Sequence, residues 1–163
     1  MASSNTHNPK IKALRPWQVT ALHRLFVSAL DRDFTFINTD HRALIKAQNS
    51  RAHLAAGIVR HHRHIFVAWQ SGEMVGYIIA GTAADNTANI DWLYVKPGLR
   101  GQNVGLKLLS RMMRRLRLYG SEHVTLVTYA YTNYYRRQGF QVLRQVVSDG
   151  IEQDLMKYEY YHD

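Results

Sequence analysis

Residues 90–119 read IDWLYVKPGLRGQNVGLKLLSRMMRRLRLY, and this stretch decides the fold. Its first part, Ile90–Val95, is a short and mainly apolar run that is typical of a strand buried on both faces. Pro97-Gly98 is a turn signal, because proline fixes φ and glycine tolerates positive φ. From Val104 onward apolar residues recur every four positions, which predicts an amphipathic helix. Gly120 stands where helices often end on glycine.

The junction between this strand and this helix predicts a binding site for phosphate groups. The first four amides of a helix have no internal partner, and the macrodipole adds partial positive charge there. Gly101 and Gly105 carry no side chain that would keep a ligand away from those amides. An anion would meet no opposing carboxylate, because the chain has no Asp or Glu between Trp92 and Ser121. The basic residues of this segment are Lys96, Arg100, Lys107, Arg111, Arg114, Arg115 and Arg117.

Two familiar phosphate-binding motifs are excluded, and a third is matched. Gly105 is not followed by the Lys-Ser or Lys-Thr pair of a P-loop, and the GxGxxG spacing of a dinucleotide site is absent. The segment resembles the acetyl-CoA motif of the GNAT superfamily of acyl-CoA N-acyltransferases, with Arg100, Asn103 and Gly105 at the motif positions. Asn103 replaces the usual glycine, which predicts an uncommon backbone geometry that asparagine tolerates. The alternative is an ordinary strand–loop–helix unit with a solvated arginine face.

A second motif lies at Tyr134–Phe140, YYRRQGF. It resembles the family segment in which a tyrosine precedes Gly-Phe by four residues, and Tyr135 occupies that position. The resemblance implies that the Tyr135 hydroxyl lies near the CoA sulfur and donates a proton to the departing thiolate, a role that suits a phenol because it is protonated at neutral pH. Tyr134 is a weaker candidate. The alternative for Tyr135 is a ring packed under the final strands.

Further contacts to the cofactor follow from the same resemblance. Thr128 stands where the family often has an asparagine, and Asn133 is a candidate to replace that contact to the pantetheine arm. Arg136 is a candidate ligand of the 3′-phosphate, with a surface charge as its alternative. The predicted cofactor-binding residues are Leu93, Tyr94, Val95, Arg100, Gly101, Gln102, Asn103, Val104, Gly105, Asn133 and Arg136.

The reacting centre requires a base and an oxyanion donor. An ammonium has no lone pair, and amines of lysine-like pKa are protonated at pH 7. Asp91 is the best carboxylate on the central strand, where period two places it on one face with Leu93 and Val95; a structural role is its alternative. Asp31 and Asp33 are other candidates to hold the amine. The resemblance implies that the central strand splays from the next one, so that the N–H of Leu93 polarises the acetyl carbonyl.

The remaining sequence predicts an α/β (α+β) domain. Helices are predicted from Pro16 to about Asp33, from a cap at Asp40 to Gly57 or His61, and over residues 133–138. Additional strands are predicted at residues 11–14, 65–69, 74–80, 123–130, 140–147 and 153–161. This order matches the GNAT order of elements. The resemblance therefore implies a single-domain GNAT-like fold, with a mixed, mostly antiparallel central sheet flanked by helices.

Composition sets the broad class. The 163 residues fit one domain, and a flexible N-terminus is expected over residues 1–9. The resemblance implies that residues 10–163 are a single N-acetyltransferase domain. The chain is 46% hydrophobic and 20% charged, which is typical of a soluble globular protein. No membrane-spanning run or signal peptide is recognisable, so a cytoplasmic location is expected. The absence of cysteine excludes disulfides and thiol catalysis.

The net charge of +9 has two interpretations. It is compatible with a basic nucleic-acid-binding module, and equally with a field that attracts CoA or an acidic substrate. No helix-turn-helix, zinc-finger or RNP signature supports the first. The His61–His64 run matches no zinc spacing, and a solvated run is favoured there.

The resemblance of the two motifs to the GNAT family implies an N-acetyltransferase that moves an acetyl group from acetyl-CoA to a primary amine by direct attack in a ternary complex, with no metal required. A catalytically silent CoA-binding relative is the alternative. The expected partner is a small-molecule or peptide amine acceptor, without membrane or nucleic acid. Homodimers are common in the family, but no residue here demonstrates one.

Overall fold

The computed structural model describes residues 8–161, so most of the predicted flexible N-terminus lies outside the described residues. Its strands are β1 Lys10–Ala13, β2 Arg63–Gln70, β3 Glu73–Thr82, β4 Thr87–Val95, β5 His123–Thr128, β6 Gln141–Ser148 and β7 Ile151–Glu159. Its helices are α1 Val19–Asp33, α2 Thr39–Gln48, α3 Arg51–Val59, α4 Val104–Leu118 and α5 Thr132–Arg137, and a 3₁₀ turn at Pro16–Gln18 precedes α1.

The strands form one seven-stranded sheet in the order β1-β2-β3-β4-β5-β7-β6. Every neighbouring pair is antiparallel except β4 and β5, which run parallel on either side of the crossover helix α4. The terminal hairpin inserts β7 between β5 and β6. The prediction of a mixed, mostly antiparallel sheet flanked by helices is therefore confirmed.

Two apolar cores lie on opposite faces of the sheet. On one face α1 and α3 pack through residues such as Phe26 and Leu54. On the other face α4 packs through Leu108 and Met112, with Phe140 in the same cluster. The central strands feed both cores because their successive side chains point to opposite faces. This explains why their sequences read as continuous apolar runs.

The single helix predicted from Asp40 is wrong, because the structure has two helices there. The Asn38 side chain accepts from the His41 amide and caps α2, so Asp40 lies in the first turn instead. The Ser50 side chain accepts from the His53 amide and starts α3. The helix is interrupted at Asn49 and Ser50, because the side chains of Asn and Ser compete for backbone hydrogen bonds of the helix.

The end of β5 differs from the prediction, whereas the end of α4 agrees with it. Strand β5 ends at Thr128 rather than Ala130, because the Thr128 hydroxyl accepts from the Tyr131 amide and turns the chain into α5. The end of α4 is as predicted: Gly120 has φ of +84°, and the Ser121 amide donates to Leu116 O at 3.0 Å. This is a Schellman-type helix end.

Candidate active site

The sheet opens between β4 and β5. The two strands pair only from Thr87 opposite His123 to Ile90 opposite Leu126. Strand β4 then continues to Val95 without β5 beside it. The predicted splay of the central strand is therefore present, and the gap begins at Ile90.

The open side of β4 presents backbone hydrogen-bonding groups. The Lys96 amide donates to Val75 O on β3 at 2.9 Å. Because the polar groups of alternate residues point to the same side of a strand, those of Leu93 and Val95 point into the gap. One of them is already used, since the Val95 carbonyl accepts from Arg100 Nε at 2.9 Å. The Leu93 amide remains directed toward the space between the strands.

Asp91 does not share a face with Leu93 and Val95, so that prediction is wrong. The pairing of β3 with β4 slips by one residue: Ile79 lies opposite Trp92, whereas Ala80 lies opposite Ile90. Asp91 is the extra residue of this β-bulge, which reverses the alternation beyond it. Val95 joins the core on the α4 face. The Asp91 carboxylate lines a cavity on the α1–α3 face.

The loop before α4 has the geometry of an anion site. Gly101 and Asn103 both have positive φ, +83° and +61°, so the uncommon conformation predicted at Asn103 is confirmed. Asn103 is the N-cap of α4, yet its side chain makes no capping hydrogen bond. The first helical bond runs from the Lys107 amide to Asn103 O at 3.0 Å. The backbone N–H groups of the residues before Lys107 therefore have no acceptor within the helix.

Gly105 and Tyr134 meet at this helix terminus. A Cβ built on Gly105 would lie 3.8 Å from both Tyr134 Oη and Val95 Cγ2. The Tyr134 hydroxyl is buried and has no hydrogen-bond partner among the described residues. Burial raises the pKa of Tyr134, opposed by the charge of Arg137, so the hydroxyl is protonated. A ligand in this cradle would find an unused donor beside the helix amides.

Tyr135 occupies a more enclosed position. Its side chain is 8% exposed and packs edge-on against Phe140 at 5.7 Å and Tyr134 at 5.1 Å between ring centres. Burial raises its pKa far above the ordinary value for tyrosine. Tyr135 therefore keeps its proton at any physiological pH. Sequence reasoning ranked Tyr134 below Tyr135, and the contact of Tyr134 with Gly105 was not visible from spacing.

The other predicted cofactor contacts have local partners. The Arg100 guanidinium lies 5.6 Å over the Tyr94 ring as well as bonding the Val95 carbonyl. Arg136 donates to Asn133 Oδ1 at 3.3 Å on the exposed side of α5. The first pair lies at the end of β4, and the second lies on α5, whose Tyr134 approaches Gly105. The side chain of Arg100 thus helps to fix the end of β4.

The cavity on the α1–α3 face lies where the strands begin to separate. It has a volume of about 280 Å³. Its lining residues are Ile45, Gln48, Asn49, Arg63, Asn89, Ile90, Asp91, Trp92 and Val127. The cavity opens to solvent, and the Asp91 side chain is exposed at its wall. Protein atoms near the carboxylate still remove part of its hydration. Burial raises the Asp91 pKa, opposed by the Asn89 hydrogen bond and the charge of Arg63.

Hydrogen bonds across the two strands fix the Asp91 carboxylate. Thr125 Oγ1 donates to Asn89 Oδ1 at 2.9 Å, which orients the Asn89 amide. Asn89 Nδ2 then donates to Asp91 Oδ1 at 2.7 Å. The second oxygen, Oδ2, is left directed away from this chain of bonds. A fixed carboxylate of raised pKa is suited to accept a proton from an amine.

The alternative carboxylates are engaged elsewhere. Asp31 forms an ion pair with Lys46 at 2.7 Å. Asp33 accepts from the Tyr94 hydroxyl at 2.6 Å. Burial and the Asp33 hydrogen bond together raise the pKa of Tyr94 to about 12. Neither aspartate lines the cavity.

The structure also bears on the histidine run. His61 and His62 are exposed, but His64 is 5% exposed and its ring lies 4.5 Å from that of Tyr119, so the run is not solvated throughout. Within residues 8–161 no group of three or more His, Asp or Glu side chains is arranged to hold a metal ion. No helix in the same part of the chain is long and apolar enough to cross a membrane.

Comparison with known proteins identifies the family. The sequence model of the acetyltransferase (GNAT) domain family matches residues 61–142. This range contains the β-bulge, the loop before α4 and the tyrosine motif. The chain belongs to the GNAT acetyltransferases. A search of the curated proteins gave no match.

Solved structures share the fold of this GNAT protein at low sequence identity. The PaiA N-acetyltransferase of Thermoplasma acidophilum, in complex with coenzyme A, superposes with a TM-score of 0.77 at 19% identity, covering 93% of this chain and 99% of its own. YncA of Salmonella typhimurium, with its cofactor acetyl-CoA, gives a TM-score of 0.71 at 20% identity and 96% coverage of each chain. A GNAT acetyltransferase of Staphylococcus aureus Mu50 gives 0.70 at 14% identity, covering 93% of this chain and 98% of its own.

Sequence reasoning missed the residues of the cavity other than Asp91. Arg63 and Asn49 lie on elements far apart in sequence, so no spacing connects them. Asn89 had a visible signal, since it stands two residues before Asp91 on a strand, and such residues share a face. That signal could have predicted the hydrogen bond between them.

Proposed function

We propose that this GNAT protein transfers the acetyl group of acetyl-CoA to a primary amine by direct attack in a ternary complex. The observation that carries the proposal is the gap between β4 and β5, which lies between the uncapped N-terminus of α4 and the cavity around Asp91. A cofactor bound from the α4 face and an amine bound from the opposite face would meet there.

The α4 terminus suits the cofactor. The first-turn amides of α4, next to the positive-φ residues Gly101 and Asn103, would receive the pyrophosphate. Gln102 and Val104 would contribute backbone groups to the same cradle, and the strand backbone from Leu93 through Tyr94 to Val95 would bind the pantetheine arm. The orphan hydroxyl of Tyr134 would donate to the cofactor beside Gly105. Asn133 and Arg136 border the same side and would contact its outer part.

The cavity suits the amine. Acetyl-CoA supplies a thioester whose carbonyl carbon the neutral amine attacks, so that a C–N bond forms and the C–S bond breaks. Asp91 accepts the proton that the amine loses. Its raised pKa makes it a stronger base, because the difference between the pKa of Asp91 and the pKa of the ammonium is smaller. The amide of Leu93 donates to the acetyl oxygen as negative charge develops. Tyr135 donates its proton to the thiolate, consistent with a pKa that keeps the hydroxyl protonated.

An acetyl-transfer assay tests the proposal. The protein is incubated with acetyl-CoA and a panel of primary amines, while release of free CoA thiol is recorded and N-acetyl products are identified by mass spectrometry. We expect amine-dependent thiol release with stoichiometric N-acetylation. Binding of acetyl-CoA without transfer to any amine would favour a catalytically silent relative.

A further inference from the structure

The cavity around Asp91 contains both a cation and an anion that do not pair with each other. Asp91 and Arg63 both line it, but no ion pair joins them, nor does Arg63 pair with any other carboxylate among residues 8–161. Arg63 still acts on Asp91 through space, since its charge works against the rise in the Asp91 pKa. Two separated and uncompensated charges of opposite sign in one small cavity are electrostatically complementary to a zwitterion.

Arg63 is held in place by its surroundings. Its NH1 group donates to Asn49 Oδ1 at 2.8 Å. Asn49 is itself buried and anchored, because its Nδ2 group donates to Ile45 O at 2.9 Å. Gly57 lets the aliphatic stem pass α3, since a Cβ there would lie 2.8 Å from Arg63 Cγ and Cδ. The guanidinium is thus preorganised by three elements rather than free at the surface.

A preorganised guanidinium matches a carboxylate better than it matches any neutral group. Its planar donors fit two oxygens at once, and a charge-assisted bond of this kind is about twice as strong as a neutral one. Arg42, one turn before Ile45 on α2, adds a second cation on that helix face, with a buried Nε that has no partner among the described residues. The acidic end of a ligand would therefore be favoured on the α2–α3 side of the cavity.

The cavity also limits the size of the ligand. Its volume of about 280 Å³ lies just below the range of roughly 300–1,000 Å³ usual for sites that hold drug-sized molecules. Ile45, Trp92 and Val127 supply apolar wall. A polyamine would place further positive charge against Arg63, and a long acceptor would extend out of the cavity.

We infer that the acceptor is a single free amino acid, whose amine lies at Asp91 and whose carboxylate is bound by Arg63. The inference rests on the proposed acetyl transfer and deepens it by naming the class of acceptor. Arg63 is then the residue that determines specificity, and Asn49 is a positioning residue that acts through it.

The test compares matched acceptors on the unmodified protein. Leucine, phenylalanine and methionine are each paired with their amides and with the corresponding decarboxylated amines, and kcat/KM is measured by CoA thiol release. The amino acid amides have less basic α-amines, with a pKa of about 8, so a larger fraction of each is neutral and able to attack. They would therefore react faster than the free amino acids if the protein did not recognise the carboxylate. We expect the free amino acids to be preferred by roughly tenfold or more, as for a charge-assisted hydrogen bond. Equal or greater kcat/KM for the decarboxylated amines would overturn the inference.

Substitutions then assign the preference to one residue. Arg63→Gln should lower kcat/KM for the amino acids by roughly ten- to hundredfold. It should change kcat/KM for the decarboxylated amines much less, because on these Arg63 acts only through the pKa of Asp91. Arg63→Lys should retain part of the preference. The matched control is Arg60→Gln, which removes the same charge from an exposed position outside the cavity and should behave as wild type. Equal losses in Arg60→Gln and Arg63→Gln would reduce the effect to net charge and contradict the inference.

Failure of the proposed function is distinguishable from failure of this inference. If the protein binds acetyl-CoA but acetylates none of the amines, the transfer reaction is refuted. Calorimetric titration of the CoA-bound protein with leucine and with its decarboxylated amine still decides the ligand class, because it does not depend on turnover. Binding of leucine that is lost in Arg63→Gln would support the inference; tighter binding of the amine would refute it.

Discussion

Gly105 offers the sharpest test of where the cofactor binds. A Cβ at this position would make only ordinary contacts, at 3.8 Å, with Tyr134 Oη and Val95 Cγ2. Gly105 lies in the first turn of α4 with helical backbone, outside the positive-φ residues. Alanine should therefore fit without strain and favour the helix over glycine by up to about 1 kcal/mol. The protein alone does not require glycine here.

A ligand on the first-turn amides would require it. A phosphate oxygen that accepts from the Gly105 amide at about 2.9 Å would lie close to the new side chain. Gly105→Val places two methyl groups in that space, and loss of one charge-assisted hydrogen bond costs about 1.5–3 kcal/mol. We expect the Kd for acetyl-CoA to rise by roughly ten- to hundredfold, with a smaller rise for Gly105→Ala.

Calorimetric titration with acetyl-CoA, together with thermal unfolding, separates binding from folding. Gly98→Ala is the matched control, because a Cβ there would meet nothing within 4 Å and its φ is not positive. The control should bind acetyl-CoA as wild type does. A folded Gly105→Val protein with unchanged affinity would show that the cofactor does not lie on the α4 terminus.

Further substitutions address the tyrosines, the base and the buried histidine. Tyr135→Phe should lower kcat more than it changes the Kd for acetyl-CoA, and a normal kcat would leave Tyr135 a packing residue. Tyr134→Phe should weaken acetyl-CoA binding without lowering Tm, because its hydroxyl has no partner to lose among the described residues; unchanged affinity would refute that contact. Asp91→Asn should abolish most turnover and raise Tm at pH 7, because an ionised carboxylate whose pKa is raised in the folded state destabilises the fold. Below the ordinary Asp pKa the carboxyl is protonated in both the folded and the unfolded state, so the gain in Tm should vanish there. An equal gain at pH 3 and pH 7 would argue against this explanation. Burial lowers the pKa of His64, so the free energy of unfolding should fall as pH drops below 6.5, the ordinary pKa of histidine. In His64→Leu, urea unfolding at several pH values should show a smaller fall, and an unchanged fall would exclude His64 as its source.

Local patterns predicted the elements well where the sequence carries its own signals. The apolar spacing from Val104 and the glycine at position 120 describe α4 and its end as the structure has them. Asn103 was expected to adopt an unusual conformation because it stands at a glycine position, and its φ is +61°. These features depend on neighbours in sequence, which a pattern can report.

The arrangement at the site depends on contacts between distant segments. The β-bulge at Asp91 arises from the pairing of β4 with β3 and leaves no mark in the alternation of the sequence itself. The same holds for Arg63, whose position follows from Asn49, directly after α2, and from Gly57 on α3. Strict period two therefore placed Asp91 on the wrong face, although Asp91 does line the cavity on the other face.

The central claim is that the α4 terminus and the gap beside it bind acetyl-CoA. Calorimetric titration of the unmodified protein with acetyl-CoA, with ATP and NAD as controls, tests it most directly. The account predicts selective one-to-one binding of acetyl-CoA that weakens in Gly105→Val. A folded protein that binds no acetyl-CoA, but binds DNA or RNA with strong salt dependence, would contradict it and favour the nucleic-acid alternative.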